Sequence, residues 1–284
     1  QRAAFSGGRV EVTGALRAQA HFNEIHADLP SFMAGNPDVV LIATKTSGLS
    51  RLLEEIREVA PSNHAVFVSC QNGLDVEDQI FKAFGRDRGL RLVLNLGCRF
   101  KSPREIVSTF AYTNYLSLKD VQGGPTLARA ISVDLSASGF RVVLRSDYRA
   151  EVFRKVILNA ALSPVCALSG VSMKVAMEDP YLAATVRALL REGIAVAKAA
   201  DVDLPKDFYD RAVDYLAQGG DHKPSMLLDI ERGRQTENED HGGRICRYGR
   251  EHGVPVPVTE TIYHLVRSLE NRQLKRDQAE KRKA

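Results

Sequence analysis

The stretch SMLLDIERGRQTENEDHGG, from Ser225 to Gly243, gathers Glu237, Glu239 and Asp240 directly behind Thr236. Thr236 followed three residues later by Glu239 is a capping-box pattern, and it predicts a helix running through Ile245 and Tyr248. Glu237 then falls in the first turn, where a carboxylate gains about 0.3–1 kcal/mol from the helix dipole. That is a sufficient structural role, and it leaves open a second one in chemistry. A second set lies in YRAEVFRKVILNAALSPV, where Lys155, Asn159 and Ser163 recur at i, i+4 and i+8. This spacing draws one polar stripe along an otherwise apolar helix. A lysine buried there is costly without a partner or a task, and burial favours the neutral amine, which helps it release a proton near neutral pH. The alternative is a lysine that snorkels to solvent at a domain seam, with Asn159 bonded to nearby backbone. A metal held by Glu237, Glu239, Asp240 and His241 is not expected, because helical spacing sends these side chains to several faces.

Two shorter motifs follow apolar runs. Lys45 stands in Thr44–Thr46 after DVVLIA, and Asn72 stands in Gln71–Gly73 after AVFVSC. Gly73 permits a positive φ, and Asn72 offers both a donor and an acceptor. Either turn also reads as a plain strand-to-helix connection, since Asn and Gly dominate turns anyway.

The first half must supply strands for those turns. RVEVTG and AQAHFNEI read as short strands, and NPDVVLIATKT has the Val/Ile-rich profile of a buried parallel strand. SGLSRLLEEIREVA is apolar at helical period, HAVFVSCQNG is a further strand, and DVEDQIFKAFG a further helix. RLVLNLGCRF, EIVSTFAYTNYLSL, the helix GPTLARAISVDLSASG and the strand RVVLRS complete the alternation. Strand and helix in turn predict a doubly wound α/β domain over residues 1–147, with ligands beyond the carboxyl ends of the strands, near the point where strand order reverses. From 148 to 284 nearly every segment carries helical period, which predicts an all-α second domain.

Bulk properties set the class. A chain of 284 residues favours two domains, and 44% hydrophobic with 26% charged residues is ordinary for a globular protein. The net charge of +4 is mild, and much of it sits in the tail at Arg272, Lys275, Arg276, Lys281, Arg282 and Lys283. That tail reads as a solvated, fraying helix end. No nucleic-acid partner is expected, since basic residues are few for that role and Trp is absent. Cys70, Cys98, Cys166 and Cys246 are scattered without a C-x-x-C pair, which fits a reducing compartment. No stretch reads as the roughly 18 apolar residues a membrane span needs, and QRAAFSGGRVEVTG lacks a signal-peptide core. The expectation is a soluble cytoplasmic protein with no metal and no membrane partner.

Taken in order, DVVLIATKT, QNG, RKVILNAALSP, SMLLDIERGRQTE and GREHGVPVPVTETIYHLV resemble the ketopantoate reductase family, the NADPH-dependent 2-dehydropantoate 2-reductases of pantothenate biosynthesis. The resemblance runs from about Asp38 to Leu269. It implies a Rossmann-like cofactor-binding domain, a helical substrate and dimerisation domain, NADPH as cofactor and a small 2-oxo acid as substrate. By that resemblance Lys155 protonates the carbonyl oxygen while hydride reaches its carbon, and Glu237 interacts with the substrate hydroxyl or with Lys155. Asn159, Ser163 and Ser225 are implied to face substrate, and Lys45 and Asn72 to face the cofactor. A homodimer is among the implied assemblies.

The chain also departs from the pattern. Ser163 stands where many members carry Asn, and His222 stands near a position that is often Asn, which leaves the identity of the 2-oxo acid open. The family opens on a strand and a G-x-G-x-x-G turn that holds the pyrophosphate on backbone N–H groups. No such turn precedes Asp38, so the expected reading is a sequence lacking residues of a longer protein, and the choice between NADPH and NADH stays open with it. The runner-up is a non-catalytic relative that binds a small acid or serves as a dimerisation module.

Overall fold

The computed structural model describes residues 8–118 and 124–281. The opening QRAAFSG, and Arg282, Lys283 and Ala284 of the basic tail, lie outside them. The chain divides into two compact units: one holds the residues up to Gln71 and Asp75–Tyr148, the other holds Asn72–Leu74 and the chain from Arg149 onward.

The first unit runs β1 (Arg9–Gly14), β2 (Ala18–His21), α1 (Leu29–Met33), β3 (Val39–Ile42), α2 (Leu49–Val59), β4 (Val66–Ser69), α3 (Glu77–Phe84), β5 (Gly89–Val93), β6 (Leu96–Ser102), β7 (Glu105–Ala111), β8 (Asn114–Ser117), α4 (Gly124–Ala137) and β9 (Val142–Arg145). Its strands form two sheets rather than one, in the orders β2-β1-β7-β6 and β3-β4-β5-β8-β9. The runs RLVLNLGCRF and EIVSTFAYTNYLSL each break and send their halves to different sheets. Asn95 marks the break. Its backbone N–H donates to Asn114 Oδ1 at 2.7 Å, and its side-chain amide donates to the Thr113 carbonyl at 2.7 Å. Those bonds satisfy backbone that no strand partner reaches.

In the five-stranded sheet β3, β4 and β5 are parallel, β8 is antiparallel to β5, and β9 is parallel to β8. The order follows the sequence with no reversal among the described strands, so a reversal point does not locate a site here. At the carboxyl ends of β3 and β4, Ile42 pairs with Ser69, so the two following turns leave side by side. Alternation along β4 serves both faces of the sheet. Phe67 packs with Leu49, Leu53, Ile56 and Ile80 of α2 and α3, while Val66 and Val68 pack with Ala128 and Ile131 of α4.

Beneath the end of β4 lies a buried polar network that the sequence pattern does not announce. Arg91 is 1% exposed, donates to Ser69 Oγ at 3.0 Å and stands 3.5 Å from Glu77. Ser69 in turn donates to Gln71 Oε1 at 2.7 Å. Burial raises the Glu77 carboxyl above its ordinary range, with Arg91 opposing.

The second unit is helical: α5 (Tyr148–Ser169), α6 (Met173–Glu178), α7 (Pro180–Ala199), α8 (Phe208–Ala217), α9 (Ser225–Glu231), α10 (Arg244–Glu251) and α11 (Pro257–Lys281). α5 carries on through Pro164 to Ser169. Proline there removes one helical N–H and leaves the Ala160 carbonyl without that donor. By length and composition α5 also passes as a membrane span, contrary to the expectation that no stretch would; most of it is buried within the protein, as the core helix of a folded domain is. Val156, Ile157, Ala160 and Ala161 are all buried, and Ile157 packs on Gly193 of α7, where a Cβ would come within 3.1 Å of it. α7 opens on Asp179, whose carboxylate accepts the Tyr181 and Leu182 N–H groups at 2.9 Å, with Pro180 in the first helical position.

Candidate active site

The predicted stripe lies on α5: Lys155 and Asn159 are half-buried and Ser163 is buried. Four-residue spacing keeps all three on one face.

The Glu237 segment differs locally from the predicted capping box. Thr236 Oγ1 accepts the Asn238 N–H at 3.2 Å, but the Thr236 N–H donates to Glu270 Oε1 of α11 at 2.6 Å. Glu239, expected to close the box, accepts the Tyr263 hydroxyl at 2.5 Å instead. Glu270 is 2% exposed and also meets Arg267 at 3.1 Å. A long-range carboxylate has displaced the local one, and the α-helix starts only at Arg244. Between them Glu239–Gly243 forms a π turn, closed by the Gly243 N–H on the Asn238 carbonyl at 3.0 Å. Such wide turns recur at functional sites.

Glu237 heads this turn, half-buried, and its carbonyl accepts the Asp240 and His241 N–H groups, each at 3.1 Å. The His241 bond sets the two side chains four residues apart on one face. Asn72, 165 positions earlier in the chain, donates its amide to Glu237 Oε2 at 3.0 Å. The second unit therefore brings Asn72 and Glu237 together.

His241 is 3% exposed, and neither ring nitrogen has a hydrogen-bond partner in the protein. Burial holds the imidazole well below its ordinary range; the Glu237 carboxylate opposes this and Lys155 reinforces it. The sequence pattern considers His241 only as a metal ligand. The usable signal was its position four residues after Glu237. Among the described residues no group of His, Cys, Asp and Glu is arranged to hold a metal. Asp240, beside it, is pushed up to about 6, first by burial and then by Glu237 and Glu239, with Arg244 opposing.

The other predicted residues lie on other elements. Ser225 is the exposed first residue of α9. His222 is half-buried, burial holding its imidazole below the usual range, and its carbonyl accepts the Met173 N–H at 3.0 Å. Lys45 belongs to the first unit, exposed and extended at the carboxyl end of β3, just ahead of the short turn Thr46–Gly48 that leads into α2.

That end of the first unit suits part of a dinucleotide. Lys45 follows β3, and Gln71 follows the neighbouring β4 with its Nε2 buried and without a hydrogen-bond partner. A cation and an unsatisfied amide donor on adjacent strands match an anionic, oxygen-rich ligand. No two glycines in the chain are separated by a single residue, so a G-x-G-x-x-G phosphate turn is not among these residues.

Comparison with known proteins covers nearly the whole chain. The model of "Ketopantoate reductase PanE/ApbA" matches residues 3–119, and that of "Ketopantoate reductase PanE/ApbA C terminal" matches residues 147–270. A 2-dehydropantoate 2-reductase of Archaeoglobus fulgidus is 26% identical over 250 residues, covering 87% of this chain and 82% of that protein. Among solved structures, a PanE/ApbA family ketopantoate reductase from Ralstonia eutropha superposes with a TM-score of 0.83 at 21% identity, over 95% of this chain and 88% of that one. A D-mandelate dehydrogenase, solved with NADH and anilino(oxo)acetate, superposes with a TM-score of 0.81 at 19% identity, over 96% and 88%. At those identities the structures speak to the fold: a mixed α/β unit followed by a helical one. The two family models, meeting an α/β half and a helical half in that order, decide the kinship: the chain belongs to the ketopantoate reductase family.

Proposed function

We propose that the chain is an oxidoreductase that reduces a small 2-oxo acid, 2-dehydropantoate or a close analogue, with Lys155 as general acid. The observation that carries this reading is the Asn72–Glu237 hydrogen bond at 3.0 Å, in the same unit as the Lys155 stripe. Family kinship and relatives named 2-dehydropantoate 2-reductase support the reaction class. A nicotinamide dinucleotide, NADPH in this reading, supplies hydride when bound.

The chain's own residues do the rest. Reducing a carbonyl builds negative charge on its oxygen, and the Lys155 ammonium neutralises that charge by transferring a proton to it. General-acid help of this kind is worth roughly 10²–10⁴ in rate, and an ammonium in a water-poor site also stabilises the developing oxyanion. Asn159 and Ser163, on the same face of α5, offer hydrogen bonds to the rest of the substrate. Ser225 adds a hydroxyl from α9. Glu237 holds the substrate hydroxyl or the Lys155 ammonium, and the Asn72 amide fixes its carboxylate. Lys45, in this reading, serves the cofactor.

The test is spectrophotometric. Loss of NADPH or NADH absorbance is followed on adding ketopantoate and a panel of related 2-oxo acids, and the expected result is turnover with NADPH preferred. Lys155→Ala is expected to lower kcat by 10²–10⁴-fold. A folded protein that oxidises neither nucleotide with any 2-oxo acid refutes the activity; full kcat in Lys155→Ala refutes the role of Lys155.

A further inference from the structure

The short segment that carries Asn72 is held at both ends by one buried cation. The chain leaves the first unit after Gln71 and returns to it at Asp75, so Asn72, Gly73 and Leu74 lie between. Arg91 of β5, 1% exposed, reaches both sides of that gap. Its Nη1 donates to Ser69 Oγ at 3.0 Å, and Ser69 Oγ donates in turn to Gln71 Oε1 at 2.7 Å. A guanidinium only donates, so the Ser69 hydroxyl keeps its one proton for Gln71, and the Gln71 amide oxygen is the atom held. On the other side the same Nη1 stands 3.5 Å from Oε2 of Glu77, the first residue of α3. The Asp78 N–H donates to the Asp75 carbonyl at 3.2 Å and the Gln79 N–H to the Val76 carbonyl at 3.3 Å, which couples Asp75 to the start of that helix. Arg91 is itself seated by its backbone N–H, which donates to Ser117 Oγ of β8 at 2.9 Å.

The backbone here needs such a hold. Gly73 has φ 109° and Asp75 φ 58°, and a non-glycine residue in that left-handed region persists only where its surroundings impose it. Stability alone does not account for the arrangement. Taking a guanidinium and a carboxylate out of water is costly, and an apolar pair of similar volume often folds as well or better. What an apolar pair cannot do is fix the two ends of a loop by directed bonds.

We propose that Arg91 is a positioning residue. Through Ser69 and Gln71 on one side and Glu77 on the other, it sets the distance between the two ends of the Asn72–Leu74 segment, and so the conformation that presents Asn72. This inference rests on Asn72 serving the proposed reaction by orienting Glu237. Arg91 moves no proton and touches no reacting atom in this role.

Two measurements test it. The first needs no turnover. Amide hydrogen exchange is followed in the wild-type protein and in two variants. Arg91→Met with Glu77→Gln removes the cation and leaves no lone buried charge; Ser69→Ala cuts only the Gln71 arm. Exchange at Asn72, Gly73 and Leu74 is expected to rise about tenfold in both, with Phe67 and Val68 of β4 unchanged. Unchanged exchange at the three amides in a folded variant overturns the proposal, as does a rise spread evenly over β4. Ser69→Ala decides alone if the charge-free pair does not fold. The second is a double-mutant cycle on kcat/KM. Arg91→Met with Glu77→Gln is expected to lower kcat/KM about tenfold in the wild-type background, and by at most about twofold when Asn72→Ala is already present. Equal losses in the two backgrounds overturn the proposal, because a merely structural defect adds, and so does wild-type kcat/KM in the variant. Failure of the folded wild-type protein to turn over refutes the proposed activity instead, and the hydrogen exchange is read independently of that result.

Discussion

Asn72 Nδ2 stands 3.0 Å from Glu237 Oε2, so within the second unit the Asn72–Leu74 segment is tied to the turn ahead of α10 by a hydrogen bond to a carboxylate. A bond to a charged acceptor is worth about 1.5–3 kcal/mol, more than a neutral pair. If it aims Glu237 in the transition state, Asn72→Ala should lower kcat/KM by about 10–100-fold. Asn72→Asp should be worse, since it sets a carboxylate against a carboxylate. Steady-state kinetics of the two variants beside thermal melts would check this, and equal activities for Asp and wild type would dismiss the contact.

The sequence made some of this legible and hid the rest for identifiable reasons. Lys155, Asn159 and Ser163 are readable because four-residue spacing needs only a helix, and α5 forms where its apolar flanks predict. The two motifs around Asn72 and Glu237 were each visible, but their contact joins positions 165 residues apart and leaves no local trace. The capping box failed for the same reason: the Thr236 N–H went to Glu270, a partner on another helix. Asn95 likewise splits a run that is apolar on both sides, and nothing in that run predicts two sheets. His241 was seen only as one more ligand-type residue among acids, because its burial is a tertiary fact.

Glu270 holds the entry to the Glu237 turn. Its carboxylate is buried, accepts the Thr236 N–H at 2.6 Å and pairs with Arg267 at 3.1 Å. Glu270→Ala should leave that N–H unsatisfied and cost about 1–3 kcal/mol. Urea unfolding would show it as a lower midpoint at unchanged slope. Glu270→Gln keeps an acceptor for Thr236 and should recover part of the loss.

Asp240 makes stability depend on pH in a direction opposite to an ordinary paired carboxylate. Its pKa rises from 3.8 to about 6 on folding, first through burial and then through Glu237. The folded chain therefore binds the proton more tightly than the unfolded one. The stabilisation is complete below pH 3.8 and is lost as pH rises through about 6. Asp240→Asn removes the charge, so its advantage over wild type should be absent near pH 4, grow as pH rises towards about 6 and level off above that. Allowing for solvent screening, the gain is about 1–2 kcal/mol. Melting curves of both proteins between pH 4.5 and about 8 would decide it, and an advantage that is flat with pH would contradict the assignment.

Glu192 supplies the cap for the longest helix from a different one. From α7 it accepts the Val258 N–H at 2.9 Å and the Thr259 N–H at 2.7 Å, and it also takes the Thr259 hydroxyl at 2.6 Å. These are the orphan donors at the first turn of α11, where a carboxylate also meets the positive end of the helix dipole. The sequence around Pro257 has no side chain placed to do this, so α11 depends on α7 for its start. Since α11 also carries Glu270 and Tyr263, which hold the Glu237 turn, a frayed start should loosen that turn as well. Glu192→Ala should cost about 1–2 kcal/mol in stability and raise hydrogen exchange at Val258 and Thr259. Glu192→Gln, which can still accept but carries no charge, should lose less. If exchange at those two amides is unchanged in Glu192→Ala, the cap is not what starts α11.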